Sequence, residues 1–371
     1  MAGSVYGRHY VISTWGESHG DTVGVVVDGV PAGLSLCEED IQIQLDKRKP
    51  GQSEFTTARN ESDTVRIMSG VFEGRTTGTP IAMMVENGDH HSADYSNIKD
   101  IYRPGHADFT FDKKFGIRDY RGGGRSSGRE TLGRVAAGAI ALKILGELGI
   151  SVEAYACAIG CIEVSKENFD IKEKYNNPLC MPDKEAAGKA QEYVKGLMEK
   201  GDSAGGIIEC VIKGLKSGVG EPVFDKLDAC LAKAVFSIGA VKGFEIGAGF
   251  KAASMSGSEN NDGFTAENGE IRKTTNNSGG VLGGMSDGSD IVFRAAVKPT
   301  PSISCTQKTV TKGGEETDIN IRGRHDPLIV PRAVVVVESM AAVTLVDLLF
   351  EDMKSTMDHV RELYVRDNKQ R

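Results

Sequence analysis

No stretch of this chain reads as an apolar run long enough to cross a bilayer, which takes about 20 residues. A membrane is therefore not expected among its partners. The first residues, Met1-Ala2-Gly3-Ser4, lack the charged-then-apolar order of a secretory leader. Cysteine is sparse. Seven residues, odd in number and scattered, do not make a disulfide framework and suit reduced thiols in a cytoplasmic setting. Cys157 and Cys161 lie four apart, but no second Cys/His pair completes a zinc set, so no metal is expected. Positive charge is also short. Lys and Arg number 44 against 52 Asp and Glu, a formal net charge of −8, and nucleic-acid binding needs a basic footprint.

What the chain does have is glycine, 46 in 371 residues, which signals tight turns and places where backbone approaches a ligand. The length allows one large or two ordinary domains. Arginines also concentrate: Arg118, Arg121, Arg125, Arg129 and Arg134 fall in one short stretch. A local basic cluster in an acidic protein points to a small anionic ligand.

Gly16-Glu17-Ser18-His19-Gly20 matches G-x-S-x-G, the nucleophile elbow of serine hydrolases. An elbow needs a strand before the serine and a helix directly after it. Tyr10 to Thr14 reads as the strand, but Thr22 to Gly29 is β-branched and bounded by glycine, so a second strand follows. Strand, loop, strand is not an elbow, and Ser18 is not expected to be a nucleophile.

The same turn recurs as Gly201-Asp202-Ser203-Ala204-Gly205. At that offset Gly29 meets Gly214 and Gly33 meets Gly218. Each copy then enters a helical pattern, Glu38 to Lys47 (opened by Ser35 and Glu38 at capping-box spacing) and Phe224 to Phe236. Gly74 and Gly78 before Ile81 are echoed by Gly284 and Gly288 before Ile291, and Gly124-Arg125 by Gly323-Arg324, each pair ahead of a long helix. The expectation is one domain over 1–371 with related halves, about 1–150 and 195–355. Ala204 stands where the first copy has His19, so the turn itself does not need that imidazole, and His19 is expected to serve chemistry.

Arg121-Gly122-Gly123-Gly124-Arg125-Ser126-Ser127-Gly128-Arg129-Glu130 leads into an apolar helical run, Leu132 to Leu148. Ser127 and Glu130 have capping-box spacing. A glycine loop, serines and a helix N-terminus suit an anion, and arginines add bidentate contacts. No Gly-Lys-Ser/Thr closes a Walker loop. Arg103-Pro104-Gly105-His106-Ala107-Asp108 is a turn carrying a histidine in polar company, read as functional over structural. His90-His91 reads as a solvated loop. Lys298-Pro299-Thr300-Pro301-Ser302 leaves the strand Ile291 to Val297 with a lysine and hydroxyls suited to phosphate. Asp326, before Pro327 and another long helix, reads equally as a general base or a helix cap.

Together these segments resemble the chorismate synthase family over nearly the whole chain. The carriers are "GESHGDTVGVVVDGVP", "RPGHADFTF", "GRSSGRETLGRVAAGAI", "NNSGGVLGGMSDG" and "RHDPLIVPRAVVVVESM". The resemblance implies an α+β fold, a single-domain β-α-β sandwich with helices between antiparallel sheets, in a homotetramer. It implies a lyase that performs an anti 1,4-elimination of phosphate from 5-enolpyruvylshikimate 3-phosphate to give chorismate, with reduced FMN and no net redox change. By the same carry-over, His19 protonates the departing phosphate, His106 tunes the flavin, and Asp326 relays the ring proton. Ser18, Arg48, Arg103, Arg129 and Arg324 would hold substrate. Arg125, Ser126, Ser127, Gly239, Ala240, Gly283, Lys298, Pro299, Thr300, Pro301, Ser302 and Arg324 would hold FMN.

NADPH enters the family as a flavin reductant in some members, with Arg48 at a position often given to it. Glu54 replaces a basic residue common there, which weakens a nicotinamide contact, and no added flavin-reductase domain is visible. An external flavin reductase is the expected partner. The competing readings are another flavin- or phosphate-dependent lyase, a serine hydrolase, and a non-enzymatic anion-binding module.

Overall fold

The computed structural model describes residues 3–56, 62–88, 99–321 and 326–369. In chain order it runs β1 (Val5–Tyr6), β2 (Val11–Gly16), β3 (Thr22–Asp28), α1 (Glu38–Arg48), β4 (Val65–Ile67), the hairpin β5 (Val71–Phe72) and β6 (Arg75–Thr76), then β7 (Ile81–Glu86). Helices α2 (Asp108–Phe115) and α3 (Thr131–Glu147) follow. Next come β8 (Ser151–Ile159), β9 (Ile162–Glu163), α4 (Lys184–Glu199), β10 (Gly206–Lys213), α5 (Leu227–Phe236), β11 (Val241–Ile246) and the one-turn α6 (Gly257–Asn260). The hairpins β12 (Phe264–Glu267) with β13 (Glu270–Lys273) and β14 (Val281–Leu282) with β15 (Met285–Ser286) precede β16 (Ile291–Val297). Last are β17 (Gln307–Val310), β18 (Glu316–Ile319), α7 (Val330–Asp352) and α8 (Met357–Lys369).

Two five-stranded antiparallel sheets carry the fold, ordered β1-β2-β3-β7-β4 and β9-β8-β10-β16-β11. Their strands alternate as half-buried sheets must. Val23, Val25 and Val27 of β3 and Ile81, Met83 and Val85 of β7 are buried, as are Ile208, Cys210 and Ile212 of β10 and Ile291, Phe293 and Ala295 of β16. Helix α3 packs on β2, β3 and β7, α7 packs on β8 and β10, and the two helices pack on each other. At their contact Gly138 is required. A Cβ built there would sit 2.2 Å from Ser339 Cβ.

Three sequence expectations need correction. First, α7 is long and apolar enough to cross a membrane, with mean hydropathy 2.1, so an apolar run of that length does exist; 89 % of that span is buried inside the protein. A helix apolar on all sides is what a position covered on all sides demands. Second, α1 is capped by Cys37 with Asp40, not by Ser35 with Glu38. Third, Ser127 does not cap α3: its hydroxyl accepts from Arg129 N in a short 3-10 turn, and Glu130 pairs instead with Arg134.

The strand reading of the Ser18 turn stands. Strands β2 and β3 pair antiparallel from Val11↔Asp28 to Gly16↔Val23, with residues 17–21 as the connecting loop and no helix behind the serine. Thr22 lies opposite Glu86 at the same end. The ends of β2 and β7 and the N-terminus of α3 deliver the loops of the site.

Gly138→Ala is expected to lower unfolding free energy by about 1–3 kcal/mol, since a methyl has nowhere to go at a packed helix contact. Gly188→Ala in α4, where a Cβ meets nothing within 4 Å, should raise it by about 0.5–1 kcal/mol. Urea denaturation of both reads the contrast. Equal effects would show that the α3–α7 contact is not tight.

Candidate active site

The residues singled out in the sequence converge through one chain of polar contacts. Its deepest member is Asp63, which is fully buried and has a left-handed backbone, φ 49°. Its carboxylate receives Arg48 Nη2 at 2.5 Å and also binds Arg129. Arg48, at the C-terminus of α1, also donates to Gly128 O at 3.2 Å. Its own carbonyl accepts Arg332 Nε at 3.0 Å, and Arg332 reaches Asp326 Oδ2 at 2.6 Å. Asp326 is thus brought to Arg48 through one residue of α7.

On the other side of Asp63, Arg129 Nε donates to Asn87 Oδ1 at 2.8 Å. The Asn87 amide donates to Glu17 O and Gly20 O at 3.1 and 2.6 Å, bracing the loop that holds Ser18 and His19. Both are buried. Ser18 Oγ accepts Gly124 N at 3.2 Å. A Cβ at Gly122 would lie 2.4 Å from His19 Cδ2 and 2.9 Å from Ser18 Oγ, so the imidazole lies flush on a glycine backbone.

Gly122 O in turn accepts Arg103 Nη2 at 3.3 Å. Arg103 grips Asp108 with two bonds of 2.7 Å, Arg118 Nη1 lies 2.9 Å from the same carboxylate, and so does His106 Nδ1. Lys298 Nζ donates to Gly105 O at 2.7 Å, and a Cβ on Gly105 would press on Pro301 Cβ at 3.1 Å. The 103–108 turn and the 298–302 segment are therefore in contact. Ser203 Oγ holds Thr300 O at 2.8 Å, Gly205 closes on Pro299, and Ser302 is buried. Lys298 N donates to Ala240 O at 2.9 Å, placing Gly239 and Ala240 beside the lysine.

Other members sit differently from one another. Arg125 spends its guanidinium on β2, donating to Gly16 O at 2.9 Å and Thr14 Oγ1 at 2.6 Å. Ser126 is exposed. Gly283 lies in the β14–β15 turn, whose hydrogen bonds run to residues 216–227 rather than to this network. Glu54 is exposed and pairs with Lys195 at 2.9 Å. Arg324 and His90-His91 lie outside the described residues.

The electrostatics follow from burial. Asp63 and Asp108 each serve two guanidiniums. Burial alone would raise both carboxyls, but Arg48 and Arg129 outweigh it at Asp63, and hydrogen bonds from Arg103 and His106 hold Asp108 well below the usual carboxylate range. Burial brings Arg48 down to about 10, with Arg332 and Arg129 adding to the fall and Asp63 opposing it. Burial also lowers Lys298, with Lys242 adding to it. Positive charge exceeds negative inside the walls, which favours an anionic ligand.

Asp63, Asn87, Asp108, Arg118 and Arg332 were not among the candidate site residues. Asp108, Arg118 and Arg332 had a signal: the first follows His106 by two residues, the second belongs to the arginine cluster, and the third is the lone cation in an apolar run. Asp63 and Asn87 had none, because their partners lie up to 70 residues away.

Several known proteins resemble this chain. The chorismate synthase family model matches residues 10–350. The chain is 65 % identical to the chorismate synthase of Lachnospira eligens over 364 residues, covering 98 % of this chain and 100 % of that one. It is 55 % identical to that of Methanosarcina mazei over 350 residues, covering 94 % and 96 %. A crystal structure of chorismate synthase matches with a TM-score of 0.75 at 31 % identity, over 97 % of this chain and 98 % of that one.

Both buried carboxyls titrate lower folded than unfolded. Their contribution is complete above the unfolded value of about 3.9 and is lost as pH falls toward the folded value. Unfolding free energy should therefore decline below about pH 4. Asp108→Asn should flatten that decline, as read by urea denaturation across pH. An unchanged slope would show that Asp108 is not held low.

Proposed function

The chain belongs to the chorismate synthase family, and we propose that it eliminates phosphate from 5-enolpyruvylshikimate 3-phosphate to give chorismate, using reduced FMN with no net redox change. The family makes it a lyase of the shikimate pathway. The observation that carries the finer reading is the pairing of each buried carboxylate, Asp63 and Asp108, with two guanidiniums. That excess of cations around His19 and His106 suits a substrate bearing a phosphate and two carboxylates.

The residues fit a flavin phosphate and ring. Among the described residues Thr300 Oγ1 is buried with no hydrogen-bond partner, and a Cβ at Gly124, Gly128 or Gly239 would meet nothing within 4 Å. We place FMN against Ser126, Ser127, Gly239, Ala240 and the 298–302 segment, with Arg125 shaping the loop from β2. Gly283 joins this set by family resemblance alone. Reduced FMN, when bound, would supply electron density for C–O cleavage and a site for the ring proton.

The chain's own side chains do the rest. Arg129 and Arg103 hold the anionic groups, each oriented by a buried carboxylate so that little reorganisation is needed. Arg48 backs Arg129 through Asp63. Ser18, a donor and acceptor beside Gly124 N, orients the substrate. His19, held on Gly122, donates a proton to the departing phosphate oxygen. His106 controls protonation beside the flavin. Asp326, set by Arg332, accepts the ring proton in relay.

We read the protein as a cytoplasmic homotetramer whose flavin is reduced by an external reductase; both Nη nitrogens of Arg48, the residue often given to NADPH, already donate to Gly128 O and Asp63. We also read the two sheets as duplicated. Their orders correspond strand for strand, β2-β3-β7-β4 with β8-β10-β16-β11, and Gly29 and Gly214 share left-handed φ of 85° and 81°.

Phosphate release from 5-enolpyruvylshikimate 3-phosphate, measured anaerobically with chemically reduced FMN, should be observed. Oxidised FMN with NADPH alone should give none. Silence with reduced FMN, from folded protein, would sink the reaction, while release in both would show that the chain reduces its own flavin. His19→Ala should cut turnover by about 10²-fold or more at an unchanged melting temperature, since Ala204 occupies the matching turn. Full activity, or an unfolded variant, would undo that role.

A further inference from the structure

We propose that Asp108 is a positioning residue that holds neutral His106 in its Nδ1–H tautomer and leaves Nε2 as the ring's proton acceptor. Among the described residues Nδ1 of His106 has two polar neighbours, Asp108 Oδ1 at 2.9 Å and Arg103 Nη2 at 3.0 Å. A guanidinium Nη nitrogen carries two hydrogens and no lone pair to offer. One hydrogen of Arg103 Nη2 goes to Asp108 Oδ1 at 2.7 Å, and Gly122 O at 3.3 Å takes the other whenever Nδ1 is itself protonated.

The carboxylate decides the matter. Asp108 is 2 % exposed and is held ionised by the hydrogen bonds of Arg103 and His106. An ionised carboxylate accepts and cannot donate. Its contact with Nδ1 is a hydrogen bond only when the proton sits on Nδ1. Among the described residues no group bonds Nε2, so that nitrogen keeps its lone pair for a ligand.

The charges facing this unit come from three elements and do not reverse the result. Arg118 contacts Asp108 and, at 3.8 Å, Asp112 of α2. Lys298, after β16, donates to Gly105 O. Each cation strengthens the case for an ionised Asp108, and none offers a proton to Nδ1. The histidine's use in the reaction rests on the reading above, but its tautomer does not, because it can be read in the resting protein.

The test is a ¹⁵N–¹H multiple-bond spectrum of histidine-labelled, substrate-free protein at about pH 8.5, two units above the ordinary imidazole value. The His106 signals are assigned by their loss in His106→Gln. A protonated Nδ1 and an unprotonated Nε2 are expected; a proton on Nε2 overturns the proposal, whatever any variant does. Asp108→Ala frees one Arg103 hydrogen to donate to Nδ1. It should therefore move the ring proton to Nε2 and lower kcat by about 10²-fold, and KM should rise as well because Arg103 loses the carboxylate that orients it. A folded Asp108→Ala protein that keeps the Nδ1–H form would also overturn it. Failure of wild-type turnover, with the expected spectrum intact, would count against the reaction and not against the tautomer.

Discussion

Where α3 crosses α7, Gly138 leaves room for Ser339 at a distance no Cβ would permit. The site depends on that approach. Each helix covers the inner face of a different sheet, so their separation sets how far apart the two sheets lie. Their N-termini follow Arg129 and Asp326 respectively. Closeness of the helices becomes closeness of Arg129 to Asp326, linked through Asp63, Arg48 and Arg332. The burial that makes α7 apolar along its length also makes that geometry stiff, because a fully packed helix has no room to shift.

Electrostatics then complete what packing begins. Lone buried guanidiniums would be costly, and lone buried carboxylates equally so. Asp63 and Asp108 resolve both costs by sharing. Each holds two cations in place and still leaves the pocket short of negative charge. Asn87 uses its whole amide to join Arg129 to the His19 loop, so the arginine and the histidine loop move as one unit. An arrangement fixed before the ligand arrives is what transition-state stabilisation by charge requires.

Local chemistry was legible wherever it was written in neighbouring residues. The strands beside Ser18 and the strand Ile291–Val297 follow from β-branched alternation, and the structure places them there. Helix starts were less legible. Ser35 and Ser127 both have the right spacing for a cap, yet Cys37 caps α1 and Ser127 serves a 3-10 turn. Spacing alone cannot say which of several nearby polar residues has its backbone in the extended conformation that a cap needs. The apolar length of α7 was missed for a related reason: Glu338 and Ser339 interrupt the run to the eye, but both are buried within the helix.

The sequence by itself determined the family, through ordered motifs spanning most of the chain, and the types of group available: two histidines, hydroxyls, glycine turns and clustered arginines. These are properties of short stretches, where composition and order suffice. Only the tertiary structure decided which arginine answers to which carboxylate. Asp63 carries no mark in its own neighbourhood, and it matters because residues 15 and 66 positions away fold onto it. A hydrogen-bond partner is chosen by distance in space, and distance in space is set by the packing of two sheets on two helices.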